Sequence, residues 1–304
     1  MNYLGIEIGG TKLQLVAGDK SLEVRERRRL DVDPAKGGAG IREQMQQVLP
    51  ELIKVWQPTA VGVGFGGPVD WRTGRIFRSH QIEGWSGFEL GAWLQSLTGR
   101  PVRVDNDANM GALGESARGA GVGFNPVFYA TLGSGVGGGL VADGRIYHGA
   151  KPGESEIGHL RLDRTGTIVE ARCSGWAVDK KIRQLTASGS SSLLSQLVGE
   201  TSGGEAKHLG RALQEKDAAA GRILDETAGD LAFALSHVAH LFHPEVIVLG
   251  GGLSLIGEPL RAAVARELRP LLMEVFEGGP EILLARLGED AVPVGSLVAA
   301  SQMV

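Results

Sequence analysis

Two segments of this chain are built to one plan. Residues 3–16, YLGIEIGGTKLQLV, set Gly9-Gly10-Thr11-Lys12 between two apolar runs. Residues 127–141, VFYATLGSGVGGGLV, set a second glycine-dense stretch, beginning Gly133-Ser134-Gly135, between two more. Short apolar runs bounded by glycine read as strands, so each segment is a hairpin. A third glycine turn, Gly250-Gly251-Gly252, follows the apolar run Val246–Leu249. Such turns have two readings. They are tight turns that need glycine's backbone freedom, or cradles whose N–H groups close on an anion. Two matched turns, with hydroxyl donors at Thr11, Thr131 and Ser134, favour the cradle and two similar halves that grip a nucleotide.

The bulk of the chain narrows the field. Its 304 residues accommodate two domains, each with its own core. A net charge of -4 gives no electrostatic footprint for nucleic acid. The single cysteine, Cys173, excludes an internal disulfide framework and a cysteine-cluster zinc site. No basic segment leads into an apolar run at the start of the sequence, and no apolar stretch approaches the ~18 residues of a membrane span. The expectation is a soluble, cytoplasmic protein with no membrane partner.

Strands alternate with helices along the chain, which argues for α/β architecture. Each half opens with a hairpin, so the sheets are expected to be mixed. A third strand is placed at 21–30 and a helix at 40–56, where Ile41, Met45, Val48, Leu49, Leu52, Ile53 and Trp56 recur at helical spacing. Strand 60–65, helix 87–97 and the short strand 102–104 follow, and then a helix to about residue 118. The second half repeats the hairpin, passes through an irregular stretch at 149–170, and carries several helices, the clearest at 224–241. A strand at 245–249, a helix at 254–269 and a closing apolar helix at 291–302 complete the reading. An N-terminal domain at 1–118, completed by 291–304, and a C-terminal domain at 119–290 are expected.

Residues 133–138, GSGVGG, match the dinucleotide fingerprint G-x-G-x-x-G, but they lie between strands, and that motif must open a helix. Gly-Gly-Thr-Lys in a hairpin is not a P-loop either. Asp105-Asn106-Asp107-Ala108-Asn109 falls at a strand-to-helix junction. Helix capping explains one polar residue there, and a ligand or catalytic site explains the surplus. Glu156-Ile157-Gly158-His159 could present an acid and an imidazole to one ligand. On its own residues, a surface turn is the better reading.

Taken in order, GIEIGGTK, GFGGPVD, VDNDAN, LGSGVGGGLVADGRIYHGA, GESEIGH and VIVLGGG resemble the ROK family of sugar kinases, repressors and relatives, from residue 3 to the C-terminus. The resemblance implies two ribonuclease H-like, actin-like ATPase domains, α/β with mixed sheets flanked by helices, and a cleft between them. It implies ATP, Mg2+ and a hexose. Asp107 corresponds to the general base, and Asn106, Gly66, Gly67, Glu156, His159 and Glu170 to sugar contacts. Gly9, Gly10, Thr11 and Lys12 match the first phosphate turn, Gly133, Ser134 and Gly135 the second, and Gly250, Gly251 and Gly252 the adenosine-side turn.

The chain departs from the family pattern in three places. Glu7 stands where relatives often carry Asp, and it keeps the charge for a water-mediated magnesium contact. Ser79-His80-Gln81 replaces a sugar-contacting SPN string. The family's zinc cysteines are gone: His159 is followed by LRLDRTGTIVEARCSGWAV, so no structural zinc is expected. Leu160 and Leu162 are expected inward and Arg161 and Asp163 outward in a hairpin that stands in for the metal. The resemblance points to a glucokinase-like homodimer. The alternatives are a kinase for an N-acetylated amino sugar and a non-catalytic sugar-sensing regulator. Retention of Asp107, the negative charge, and a first strand that opens at Tyr3 with no room for a helix-turn-helix ahead of it favour the kinase.

Overall fold

The computed structural model describes residues 1–304 except His80, Gln81, Pro152, Glu154, Thr201 and Glu277. The described chain divides into two compact units. Unit 1 comprises residues 1–123, 139–155 and 286–304, and unit 2 residues 124–138 and 156–285. Residues 139–155 return to unit 1 between the two segments of unit 2.

Unit 1 opens with β1 (Asn2–Ile8), β2 (Lys12–Asp19) and β3 (Val24–Asp31), an antiparallel meander. Helix α1 (Gly37–Trp56) crosses over to β4 (Ala60–Phe65), which pairs parallel to β1. A small hairpin, β5 (Val69–Asp70) with β6 (Arg75–Ile76), precedes α2 (Leu90–Thr98), β7 (Val102–Asn106) and α3 (Asp107–Arg118). The sheet order is β3-β2-β1-β4-β7. Its core joins Leu4, Ile6 and Ile8 to Ile41, Met45, Leu49 and Leu52 on the apolar face of α1, as the helical spacing predicts.

The second sheet repeats that order. Strands β8 (Val127–Leu132) and β9 (Val136–Ala142) are followed by the short β10 (Arg145–Ile146). Helices α4 (Glu170–Cys173), α5 (Gly175–Ala187), α6 (Leu193–Val198), α7 (Leu209–Gln214) and α8 (Ala218–Phe242) come next. Then come β11 (Val246–Gly250), α9 (Glu258–Leu268) and β12 (Glu281–Leu284), in the order β10-β9-β8-β11-β12. The helix expected at 254–269 starts four residues later, because Gly257 takes φ 81° and ends a 3-10 turn at Gly252–Ile256. Helix α8 begins earlier than its apolar spacing indicates, since Asp217 caps it by accepting from the Ala220 N–H at 2.8 Å. Among the described residues no helix is long and apolar enough to cross a membrane.

The closing helix α10 (Ala291–Ser301) packs on β1, β4 and α3 within unit 1. The approach is close because glycines line it. A Cβ on Gly62 would lie 1.9 Å from the Ser296 carbonyl, and one on Gly295 1.7 Å from that of Met110. Beside this contact the buried Glu115 carboxylate accepts from the N–H groups of Ala120 (2.7 Å), Arg286 (3.1 Å) and Leu287 (2.8 Å). It thereby fixes both segments next to the points where the chain leaves and re-enters unit 1.

Gly62→Ala is expected to cost about 1–3 kcal/mol or more by overpacking, with no change in the ends of β4. Urea unfolding of the variant beside the parent measures it through the shift in midpoint.

Candidate active site

In unit 1 the first glycine turn joins β1 to β2. The Gly9 N–H donates to the Lys12 carbonyl at 3.0 Å, and the Gly66 N–H to the Ile8 carbonyl at 2.9 Å. The two glycine segments singled out in this half of the sequence are therefore neighbours. Glu7 lies beside the turn, 9% exposed. Its Oε2 accepts from Gln14 Nε2 at 2.7 Å and its Oε1 lies 3.3 Å from Lys12 Nζ. Gln14 in turn accepts from Arg27, which pairs with Asp290. Burial pushes the Glu7 carboxyl above its usual range, and Lys12 and Gln14 oppose that shift.

At the β7–α3 junction the four polar residues separate into distinct roles. Asn106 is the helix cap: its Oδ1 accepts from the N–H groups of Ala108 (2.8 Å) and Asn109 (3.3 Å), and its Nδ2 donates to the Gly67 carbonyl at 3.2 Å. Asp105 points inward. Its Oδ1 accepts from the Asn106 N–H (3.0 Å) and Asn109 Nδ2 (2.9 Å), and its Oδ2 lies 2.7 Å from Nε2 of His148. Asn109 is fully buried and also donates to the Gly153 carbonyl at 3.1 Å. Asp107 alone is half-buried. Its Oδ1 accepts from the Ala108 N–H at 2.9 Å, while Oδ2 sits 3.5 Å from where a Cβ on Gly66 would be. A bare glycine thus faces the carboxylate. His148, stacked on Trp71 at 4.2 Å, is a part of this junction that sequence reasoning missed.

In unit 2 the second turn joins β8 to β9. The Gly133 N–H donates to the Gly135 carbonyl (3.0 Å), and the Gly175 N–H at the start of α5 donates to the Gly133 carbonyl (2.7 Å). Glu170 closes on this turn: its Oε2 accepts from the Val136 N–H at 2.9 Å and lies 2.4 Å from a Cβ placed on Gly135. The third turn packs behind the same strand. Gly251 has φ 78°, and a Cβ there would lie 2.6 Å from the Leu132 backbone. Ser134 and Gly252 are exposed.

Glu156 and His159 flank a 3-10 turn, Ile157–His159, and both are exposed. The turn is anchored by Gly158, whose Cβ position lies 2.2 Å from the Val136 carbonyl, so it sits against β9. The hairpin expected after it is present. The Leu162 N–H donates to Thr167, the Val169 N–H to Leu160, and Arg161 bridges Ile168. Leu160 and Leu162 are half-buried, Arg161 and Asp163 exposed. Asp163 organises the tip by accepting from the N–H groups of Thr165 (2.7 Å), Gly166 (2.9 Å) and Thr167 (3.2 Å). The hydroxyls of Thr165 and Thr167, and then their N–H groups, hold its carboxyl below the usual range. Cys173 is buried, and burial pushes its thiol up to about 12, so it is not a nucleophile. Among the described residues no group of three or more His, Cys, Asp or Glu could hold a metal ion. Of the altered Ser79-His80-Gln81 string, His80 and Gln81 lie outside the described residues.

The chain as a whole is similar to known proteins. The family model described as "ROK family" matches residues 3–303. A glucokinase of Halalkalibacterium halodurans is 31% identical, with 96% of this chain and 93% of the relative covered. A glucokinase of Thermotoga maritima is 29% identical, with 97% and 96% covered. The crystal structure of a ROK family glucokinase from Streptomyces griseus, in complex with glucose and AMPPNP, superposes with a TM-score of 0.83 at 28% identity, covering 99% of this chain and 100% of that one.

Three outcomes are expected. Because the Glu7 carboxyl titrates higher in the folded than in the unfolded chain, its contribution to stability falls as pH rises from about 4.5 through the raised value. The urea midpoint of the parent minus that of Glu7→Gln should therefore drop over that window; a flat difference would refute the assignment. Metal analysis of the purified protein should give far less than one zinc per chain, and Asp163→Ala should speed amide exchange at residues 165–167.

Proposed function

Since this chain belongs to the ROK family, we propose that it phosphorylates a hexose with ATP, the sugar being glucose and the product glucose 6-phosphate. The chain is a sugar kinase of the ROK type. The observation that carries the finer reading is the Asp107 carboxylate, half-buried at the first turn of α3, with one oxygen held by the Ala108 N–H and the other facing Gly66. In this reading Asp107 takes the proton from the sugar hydroxyl as that oxygen bonds to the γ-phosphorus and the bond to the ADP oxygen breaks. One proton must be removed, and the rest is positioning and charge stabilisation.

Asn106 is braced by Gly67 and the α3 N–H groups, so its amide presents one fixed edge to a neighbouring hydroxyl. Glu156, His159 and Glu170 supply the remaining sugar contacts, with Glu156 and His159 set by the Gly158–β9 packing. The nucleotide fits the glycine turns: Gly133 and Gly252 meet no atom within 4 Å at a Cβ position, so their backbone faces open space. Gly9, Gly10, Thr11 and Lys12 form the first phosphate turn. Magnesium, when bound, neutralises charge on the transferring phosphoryl group. Glu7 suits a contact through water, because each oxygen has one protein partner and retains a second lone pair.

The amino-sugar kinase and sugar-sensing regulator remain the competing readings, and the geometry of Asp107 favours catalysis. The homodimer stays a proposal from the family resemblance alone. ATP chemistry of this kind belongs in the cytoplasm.

Asp107→Asn is expected to lower turnover at least ~10²-fold with little change in sugar affinity. An ADP-release assay over a hexose panel tests both halves: near-parental turnover in the variant would sink the general base, and preference for another sugar would sink glucose.

A further inference from the structure

Unit 1 holds a cavity of about 810 Å³ that none of the proposed catalytic or binding residues lines. It runs along β7, the edge strand of the first sheet, between the β5–β6 turn, the first half of α2, β10 and the C-terminal Gln302-Met303. Its lining is cationic. Arg72, Arg103 and Arg145 face it together with His148, and no Asp or Glu is among its lining residues. The chain as a whole carries a net charge of -4.

The arginines are poorly neutralised. Arg145 has no ion pair or side-chain hydrogen bond among the described residues. Arg72 is held by the face of Trp71, 5.1 Å away, which places a guanidinium without satisfying its N–H donors. Arg103 makes long contacts, 3.8 Å to Asp105 and 3.4 Å to Gln302. Guanidinium forks presented this way match phosphate oxygens. The remaining lining includes Thr73, Gln95 and Gln302, neutral groups suited to hydroxyls. The volume lies within the ~300–1,000 Å³ usual for small-molecule sites, far more than one phosphate ion fills.

We propose that this cavity binds a hexose-sized phosphate monoester, and that the kinase's own product is the ligand that regulates it from there. The route to the reacting end is short. Arg103 and His148, both lining residues, contact the same carboxylate, Asp105, at 3.8 Å and 2.7 Å. Asp105 immediately precedes Asn106 and Asp107. A phosphate that draws Arg103 into the cavity removes one counter-charge from Asp105 and weakens the junction that presents Asp107. Occupancy therefore inhibits, and saturating sugar does not relieve it. The binding step stands on the cavity alone; the regulatory step rests on the kinase reading.

The test is calorimetric titration of glucose 6-phosphate, and separately inorganic phosphate, into the protein with saturating glucose and no ATP, so that the sugar site is already filled. The parent should bind the sugar phosphate saturably. Arg72→Gln/Arg145→Gln changes two exposed residues outside the proposed catalytic machinery and should weaken binding at least ~10-fold, as expected for lost charge-assisted hydrogen bonds. Its basal turnover should match the parent. In the ADP-release assay, inhibition of the parent by glucose 6-phosphate should persist at saturating glucose and vanish in the double variant. No heat with the parent, or equal affinity in the variant, overturns the site. Equal affinity for inorganic phosphate overturns the sugar-phosphate assignment. Purely competitive inhibition overturns the regulation. Binding without any turnover on the hexose panel would instead count against the kinase reading and leave the site intact.

Discussion

The buried carboxylate of Asp105 is the group around which the β7–α3 end of unit 1 is arranged. Taking a carboxylate out of water costs several kcal/mol unless charge and hydrogen bonds replace the lost hydration. Here the replacement comes from the Asn106 N–H, the Asn109 amide, His148 and, at longer range, Arg103. A carboxylate only accepts, so the His148 nitrogen that meets it carries the proton. These partners come from β7, the cap and first turn of α3, and the segment after β10. Satisfying one buried charge thus fixes the angle at which α3 leaves the sheet, and with it the directions of Asn106 and Asp107.

A second constraint works through absence of side chain. Helix α10 is apolar nearly all round because it lies against β1, β4 and α3. Glycine at positions 62, 114 and 295 lets backbones approach where any Cβ would collide. Packing of this kind has no slack, so α3 is held from behind by α10 while Asp105 holds it from the front. The Glu115 carboxylate, on the same helix, ties in the backbone at Ala120, Arg286 and Leu287.

What the sequence made legible follows from how local each signal is. The paired hairpins, α1 and the polar strand-to-helix junction rest on contiguous residues, and the structure contains all of them. The short β5–β6 hairpin, β10 and β12 carry too few residues for a periodicity to show. Within the Asp105–Asn109 run, residue type gave four equivalent polar groups. Only three-dimensional partners separate a cap, two buried network members and one half-exposed carboxylate. His148 was illegible for the same reason, since its role depends on Trp71 and Asp105, both distant in sequence. The tip Asp163-Arg164-Thr165-Gly166-Thr167 did carry a readable turn signal, an Asp followed by Thr and Gly. It gains meaning only once Leu160 and Val169 are paired.

Glu170 shows how hydrogen bonds alone can position the loop after His159. A metal would fix its ligands through short, directional bonds. In this chain the hairpin from Leu160 to Val169 delivers Glu170 to the start of α4, and its carboxylate then closes on the Val136 N–H at the second glycine turn. The missing Cβ of Gly135 is what lets that oxygen in. One side chain therefore belongs both to the proposed sugar contacts and to the turn proposed to hold phosphate. If that turn is the phosphate cradle proposed above, the Glu170 carboxylate competes with phosphate for the Val136 N–H. Any movement of Glu170 toward a sugar hydroxyl releases the Val136 N–H. On the proposed reading, the second turn and the sugar contacts then share the single Glu170–Val136 hydrogen bond.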